Sequence, residues 1–153
     1  CQQGKFIEYR QVLVVDKAGK TAIYSGPNSL GIWTQAQGLD VASGGNMLAN
    51  DRVPQAMVDS FLASSGHLGD RLISAMRAGL AAGGEAGPLH SAGILLVDTV
   101  AWPVAELRCD WTDNCPIENI ATAWEVYKPQ LAAYVQLAID PRDAPSYGVP
   151  GDQ

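Results

Sequence analysis

Positive charge and long apolar runs are both scarce in this chain. Its 153 residues contain 10 Lys and Arg against 16 Asp and Glu, a formal net charge of −6 at pH 7. Nucleic-acid backbones and anionic membranes are bound through clustered Lys and Arg, so we expect neither as a partner. No apolar run approaches the roughly 20 residues of a membrane span. We therefore expect a cytoplasmic protein.

Cysteine and histidine are also few. The three cysteines, Cys1, Cys109 and Cys115, cannot all pair, and a bond between the last two is possible without being required. With only His67 and His90 and no Cys-x-x-Cys pair, the sequence predicts no zinc site and no cofactor. The chain begins with cysteine, and we expect a processed product, a fragment or a shortened form.

The composition that remains is that of a folded domain. Apolar residues make up 47% and charged residues 17% of the chain, which is enough for one domain with a sizeable core. A weakly charged surface is often covered in part by a partner chain, and we expect a homo-oligomer. We divide the chain into a domain over residues 1–139 and an extended tail, rich in proline and glycine, over residues 140–153.

The strongest pattern is a pair of predicted strands. Residues 91–97 form a largely apolar run of strand length, and residues 102–111 alternate with a period of two. One face of the second run carries Leu107, Cys109 and Trp111. The other face carries Glu106, Arg108 and Asp110. We expect a centre strand and its neighbour in a sheet covered on both faces. The charged face is either solvated or lines a cleft where Arg108, held by Glu106 and Asp110, binds an anion.

The other elements indicate an α+β chain with helices grouped against a largely antiparallel sheet. A hairpin is predicted over residues 9–24 and a further strand over residues 39–43. Helices are predicted after a cap at Asn50 or Asp51, over residues 68–82, and from Pro116 with an interruption at Pro129.

Three positions have both a structural and a functional interpretation. Asn46 follows two glycines, and it either lies in a turn or supplies an oxyanion-type hydrogen bond. His90 precedes Ser91, but neighbours on a strand point to opposite faces, so we expect a lone site residue or a hydrogen-bonded loop residue. His67 is predicted to cap a helix or to lie on the surface.

Several phrases of the sequence resemble one family. They are Tyr9-Arg10-Gln11, Val14-Val15-Asp16 with Gly19, Gly45-Asn46-Met47-Leu48, Gly83-Gly84-Glu85 with His90-Ser91-Ala92, Trp102-Pro103-Val104, Leu107-Arg108-Cys109-Asp110-Trp111, and the segment 144–151. In this order they are similar to the domain of unknown function 1028, which is placed in the N-terminal-nucleophile (Ntn) hydrolase superfamily. The resemblance implies a four-layer αββα sandwich and hydrolysis of an amide, lactam or ureido C–N bond in a small molecule.

The resemblance also implies roles for particular residues. In Ntn hydrolases the first residue of the mature chain attacks the carbonyl, and its α-amino group accepts the proton. Cys1, exposed by autoproteolysis, would be that nucleophile, and Asn46 would be the oxyanion donor. The substrate-binding residues would be Arg108 for a carboxylate, its neighbours Glu106 and Asp110, and Arg10, Gln11 and His90 for polar contacts.

This chain departs from the family at its start, because family members carry an additional hairpin and helix before the segment that matches Tyr9-Arg10-Gln11. One hypothesis is a processed subunit, with Cys1 as the nucleophile and the upstream segment as a second polypeptide. The alternative is a non-catalytic structural or ligand-binding subunit whose nucleophile lies on that segment.

Overall fold

The computed structural model describes residues 4–146, which contain six strands and four α-helices. Their bounds are β1 Gln11–Val15, β2 Thr21–Ser25, β3 Ile32–Gly38, β4 Val41–Leu48, α1 Val53–Ala63, α2 Leu68–Ala81, β5 Ala92–Leu96, β6 Ala105–Cys109, α3 Pro116–Tyr127 and α4 Leu131–Ile139. The strands form three antiparallel pairs, β1–β2, β3–β4 and β5–β6. The predicted α+β composition with antiparallel sheets is confirmed.

The β1–β2 hairpin packs on one face of the β3–β4 hairpin. The Gln11 side chain donates to the Gly45 carbonyl at 3.2 Å, and the Ser25 hydroxyl donates to Gln35 at 2.6 Å. Successive side chains of a strand alternate between its faces, so Val12 and Val14 point away from this interface. They are 40% and 50% exposed. The outer face of β1–β2 is therefore apolar and uncovered by the described residues.

Helix α1 covers the opposite face of the β3–β4 hairpin. Val58 and Phe61 are buried there, and the hydroxyl of buried Ser43 lies 3.5 Å from the sulfur of Met57. Ala36 is buried on the same side of the hairpin. This half of the described chain consequently has three layers in the order hairpin, hairpin, helix.

The main apolar core lies between α2, α3 and the β5–β6 pair. Its buried members include Ile73, Ile94, Leu96, Ile120 and Trp124. The Trp124 indole is fully buried and donates to Asp70 at 2.8 Å, and Asp70 also accepts from Lys128 at 2.6 Å. The first bond satisfies the one polar atom that the indole brings into the core, and the second pairs the charge of the carboxylate that accepts it.

Most predicted elements are confirmed, but the region around β4 is not as expected. The first hairpin, α2 and the start of α3 lie where predicted, and Pro129 falls in a short 3-10 turn, Lys128–Gln130, between α3 and α4. The predicted strand 39–43 is instead the start of β4 Val41–Leu48, which contains both glycines and Asn46. The glycines permit close stacking, since a Cβ on Gly44 would lie 3.2 Å from the Leu13 side chain.

Two other expectations are wrong. Helix α1 has no side-chain cap from Asn50 or Asp51; its N-cap is Arg52, and Asn50 accepts from the Arg52 amide at 3.0 Å in a local turn. The β5–β6 pair is not a centre pair covered on both faces within residues 4–146, because each strand pairs only with the other and Leu95 is 54% exposed.

Of the predicted extended tail, residues 140–146 are described and include the 3-10 turn Pro141–Asp143, and the remainder lies outside the described residues. Between residues 4 and 146, no helix has the length and apolarity needed to cross a membrane.

Candidate functional site

Three of the predicted site residues line one polar cavity of about 450 Å³. The three are Arg10, Gln11 and Asn46. The other lining residues are Tyr9, Asn28, Ser29 and Leu30. The cavity therefore lies where the start of β1, the loop after β2 and the end of β4 meet.

A β-bulge places Asn46 at this cavity. Thr34 pairs with Gly45 and Ile32 pairs with Leu48, so Asn46 and Met47 together face a single residue of β3. Met47 takes a positive φ of 53°, an uncommon conformation for a residue with a side chain. Such bulges redirect side chains and often lie beside functional sites.

Backbone hydrogen bonds fix the bulge on both sides. The Met47 amide donates to the Leu30 carbonyl at 2.9 Å, and its carbonyl accepts from the Ala86 amide at 2.8 Å. Gly31 lies directly against the bulge, because a Cβ on it would be 3.1 Å from the Met47 Cα atom. The position of Asn46 is thus determined by two loops as well as by its own strand.

The opposite wall of the cavity is held in the same way. The Gly26 amide donates to the Arg10 carbonyl, and the Asn28 amide donates to the Glu8 carbonyl, both at 2.8 Å. The Ser29 hydroxyl donates to the Gly26 carbonyl at 2.9 Å. These bonds join the loop after β2 to the segment that leads into β1.

Gln11 and Arg10 contribute differently to the cavity. Both amide hydrogens of Gln11 are used, one toward the Ser25 hydroxyl at 3.0 Å and one toward the Gly45 carbonyl, so its oxygen remains as an acceptor. The side chains of Arg10, Asn28 and Asn46 have no hydrogen-bond partner among residues 4–146. The cavity therefore presents one cation and two amides that can bind a ligand.

The remaining predicted residues lie on the β5–β6 side of the chain and not at this cavity. Arg108 donates to Asp110 at 2.8 Å and 3.1 Å, and their side chains are 64% and 76% exposed. This bond raises the pKa of Arg108. Glu106 is exposed and makes no bond to Arg108. Of the two alternatives for this face, the described residues show the solvated one.

The two histidines have structural roles. The His90 ring bonds through Nδ1 to the Thr112 carbonyl at 2.9 Å and stacks on Trp111 with ring centres 4.1 Å apart. It is thus a hydrogen-bonded loop residue. His67 accepts from the Gly69 amide at 3.1 Å, which confirms its predicted role as a helix cap.

The cysteines provide no site within the described residues. Cys109 and Cys115 are free thiols, and Cys1 lies outside the described part of the chain. Across residues 4–146, no group of three His, Cys, Asp or Glu side chains is arranged to hold a metal ion.

Sequence reasoning missed the cavity residues of the loop after β2. Asn28, Ser29 and Leu30 belong to a segment, 25–31, that shows only the composition of a turn. A turn composition predicts the local fold of a loop but not which distant side chains it will meet. Only the stacking of the two hairpins brings this loop to Asn46.

A family model described as a family of unknown function (DUF1028) matches residues 1–120. The chain belongs to this family. The crystal structure of protein SPO2555 from Silicibacter pomeroyi, which has the same DUF1028 assignment, is similar to it, with a TM-score of 0.74 and 28% sequence identity. The alignment covers 83% of this chain and 56% of SPO2555, so this chain spans little more than half the length of that relative. No curated protein matches the sequence.

The DUF1028 match confirms the family resemblance of the sequence phrases. It includes every residue that lines the polar cavity, because all of them lie between residues 9 and 46. The description of DUF1028 states no activity. The cavity itself is therefore the main indication of what this chain does.

Proposed function

We propose that this chain binds a small anionic amide in the polar cavity and forms part of an Ntn-type amidohydrolase that cleaves a C–N bond of that molecule. The observation that carries the proposal is the convergence of Arg10, Gln11 and Asn46 on one cavity. The type of reaction in this proposal is the one that the resemblance to the Ntn hydrolase superfamily implies.

The three residues suit different parts of such a substrate. The Arg10 guanidinium can bind a carboxylate through two parallel hydrogen bonds. The Asn46 amide can donate to a carbonyl oxygen, and it stabilises the negative charge that develops there when a nucleophile adds. Gln11, whose amide hydrogens are already bonded, offers its oxygen to the substrate N–H. Arg10 thus replaces Arg108, which is paired with Asp110, as the carboxylate binder.

On this proposal the nucleophile is the thiol of Cys1. Its α-amino group takes the thiol proton while sulfur adds to the substrate carbonyl carbon. The C–N bond then breaks, the leaving nitrogen receives that proton, and an acyl thioester remains. Water hydrolyses the thioester, which releases the acid and restores the thiol. Hydrolysis requires no oxidant, reductant or metal.

The layer order of the described chain supports an αββα sandwich in the complete protein. The hairpin, hairpin and helix layers would correspond to the β, β and α layers of that sandwich. A helix layer on the outer face of β1–β2 would cover the exposed Val12 and Val14 and complete the sandwich. On the proposal this layer comes from the upstream segment, as a second polypeptide of the same precursor.

A second candidate function is a non-catalytic ligand-binding subunit. The described lining of the cavity contains no Cys, His or carboxylate; of its two hydroxyl-bearing residues, Tyr9 and Ser29, the serine already donates to the Gly26 carbonyl. Without Cys1, therefore, the cavity has binding groups but no activated nucleophile. In that case the chain would bind the ligand and the reaction would depend on residues elsewhere.

Binding and turnover can be tested separately. The probes are N-acetyl and N-carbamoyl amino acids, which combine a carboxylate with an amide or ureido group, and binding is followed by calorimetry. We expect Arg10→Gln to weaken binding at least tenfold because the cation is lost. Arg108→Gln, the matched control, should bind as the wild type does. Equal affinities for all three proteins would contradict the assignment of the cavity.

Turnover is measured with the product of the complete gene. We expect Cys1→Ala to retain binding and to lose both chain cleavage and hydrolysis. Hydrolysis that persists in Cys1→Ala would refute the nucleophile. Binding without hydrolysis in the wild type would favour the second candidate.

A further inference from the structure

A second cavity, of about 310 Å³, lies between β4 and β5 and is apolar. Residues 41–44 form one wall and residues 93–95 form the other. Phe61 of α1 and Leu72 and Met76 of α2 lie along it as well. We call this space the β4–β5 groove.

Both walls of the β4–β5 groove are strand edges without a strand partner among the described residues. β4 pairs with β3 on its other edge, and β5 pairs with β6. Neighbouring strands of one sheet lie about 4.8 Å apart and exchange hydrogen bonds, whereas these two strands are separated by the groove. Unpaired edges of this kind attract another strand, since their amide and carbonyl groups require partners.

The outer edge of β4 already accepts a partner at its far end. Leu48 pairs with Ile32 on one side and with Glu85 on the other. The Ala49 amide donates to the Gly84 carbonyl at 3.0 Å on this outer edge. The edge is thus competent for antiparallel pairing, and pairing stops where the groove begins.

The chemistry of the groove selects an uncharged occupant. None of the residues that line it is ionisable, and Ser43, its hydroxyl-bearing residue, contacts the sulfur of Met57. Leu13 and Leu95, which line the groove, are 37% and 54% exposed. An extended segment with apolar side chains would cover these residues and satisfy both backbone edges, which a small apolar ligand could not do.

We propose that the β4–β5 groove is the docking site of a strand-forming segment from the part of the complete protein that corresponds to the unaligned portion of SPO2555. The alignment with SPO2555 covers 83% of this chain but 56% of SPO2555, so a large part of that relative has no counterpart here. Two-stranded sheets are marginal by themselves, and an inserted strand would join β3–β4 and β5–β6 into one sheet. This inference concerns assembly and does not depend on the hydrolase proposal.

Hydrogen exchange provides the test. The 153-residue chain alone is compared with the purified product of the complete gene. We expect the amides of residues 41–44 and 93–95 to exchange at least tenfold more slowly in the complete product. Equal exchange rates, or a reading frame that encodes no strand-forming segment beyond this chain, would overturn the proposal. So would protection of these amides in a dimer of the 153-residue chain alone, because a second copy would then occupy the groove.

A pair of variants locates the contact. Leu95→Asp puts a charge on the exposed wall of the groove, and Val97→Asp puts one on a neighbouring exposed residue that does not line it. We expect Leu95→Asp to remove most of the added protection and Val97→Asp to preserve it. Equal protection in the two variants would show that the segment docks elsewhere. Both side chains are exposed, and unchanged exchange of the α3 amides verifies that each variant folds.

Discussion

The substitution Gly31→Ala tests whether the bulge at Asn46 is as tightly fixed as its contacts indicate. Gly31 has a φ of +66°, and a Cβ there would lie 3.1 Å from the Met47 Cα atom and 3.4 Å from its nitrogen. These are backbone atoms, and the hydrogen bonds of Met47 to Leu30 and Ala86 prevent them from moving apart. Alanine must therefore either adopt a strained conformation or displace the bulge.

The size of the effect follows from two costs and one gain. The left-handed conformation costs a residue with a Cβ about 1–2 kcal/mol, and forcing a methyl group against fixed atoms adds roughly 1 kcal/mol. Alanine regains about 0.4–1 kcal/mol because it restricts the unfolded chain. We expect the free energy of unfolding to fall by about 2 kcal/mol. In a domain of this size that corresponds to a Tm lowered by roughly 4–8 °C.

Urea unfolding followed by tryptophan fluorescence measures this loss. The matched control is Gly87→Ala, since a Cβ on Gly87 meets no atom within 4 Å and its φ is not positive; we expect it to change stability by less than about 0.5 kcal/mol. A Gly31→Ala variant as stable as this control would refute the argument that Gly31 supports the bulge. The Asn46 side-chain amide resonances should also shift in Gly31→Ala and not in the control.

Two further predictions concern the core. Gly69→Ala would force a methyl group into the buried Trp124 ring, so it should lower the free energy of unfolding by about 2–3 kcal/mol. Gly79→Ala meets the flexible Met57 side chain at 2.8 Å and should stay within about 1 kcal/mol of wild type. Similar urea midpoints for the two would contradict this reasoning. The bond from Lys128, followed by that from Trp124, lowers the pKa of Asp70. The ionised Asp70 carboxylate therefore stabilises the folded state fully above about pH 4, and this stabilisation is lost as the pH falls through the lowered pKa. Asp70→Asn should be less stable than wild type at pH 6, by a margin that shrinks toward pH 2, and a constant margin would exclude this linkage.

The helices could be predicted from the sequence because their apolar spacing directly reflects what they bury. Ile117, Ile120 and Trp124 recur at helical intervals along α3, and all three are buried. Pro116 and His67 mark the starts of α3 and α2 because a first-turn proline and a capping side chain act locally. Local signals of this kind need no knowledge of the tertiary fold.

The β3–β4 hairpin could not be predicted in the same way, because one of its faces packs on polar side chains. Gln35 accepts from Ser25 and Gln37 bonds with Thr21 across the stacked hairpins. An interface built from such bonds leaves no apolar alternation in the sequence. The exposed Leu95 shows the opposite case, in which an apolar run suggested burial on both faces that residues 4–146 do not supply.

The cavity was predictable residue by residue but not as a unit. Arg10, Gln11 and Asn46 each belong to phrases that resemble the DUF1028 family, whereas their meeting depends on a bond between Gln11 and Gly45, 34 positions apart in the chain. Contacts at that separation follow from how the hairpins stack. Arg108 was misplaced for the same reason, since strand alternation predicts the face of a sheet but not the sheet's neighbours.

Strand β4 connects the two sites that the structure suggests. Its first residues, 41–44, form a wall of the β4–β5 groove, and Asn46, near its end, lines the polar cavity. Between them Gly45 accepts the hydrogen bond from Gln11. A strand docked on the outer edge of β4 would restrain these residues together, because the bulge at Met47 is held from that same edge by Ala86. An open groove leaves the outer edge of β4 bonded at its far end only, so a docked segment would add to the restraints that already hold Asn46 where an oxyanion donor is required.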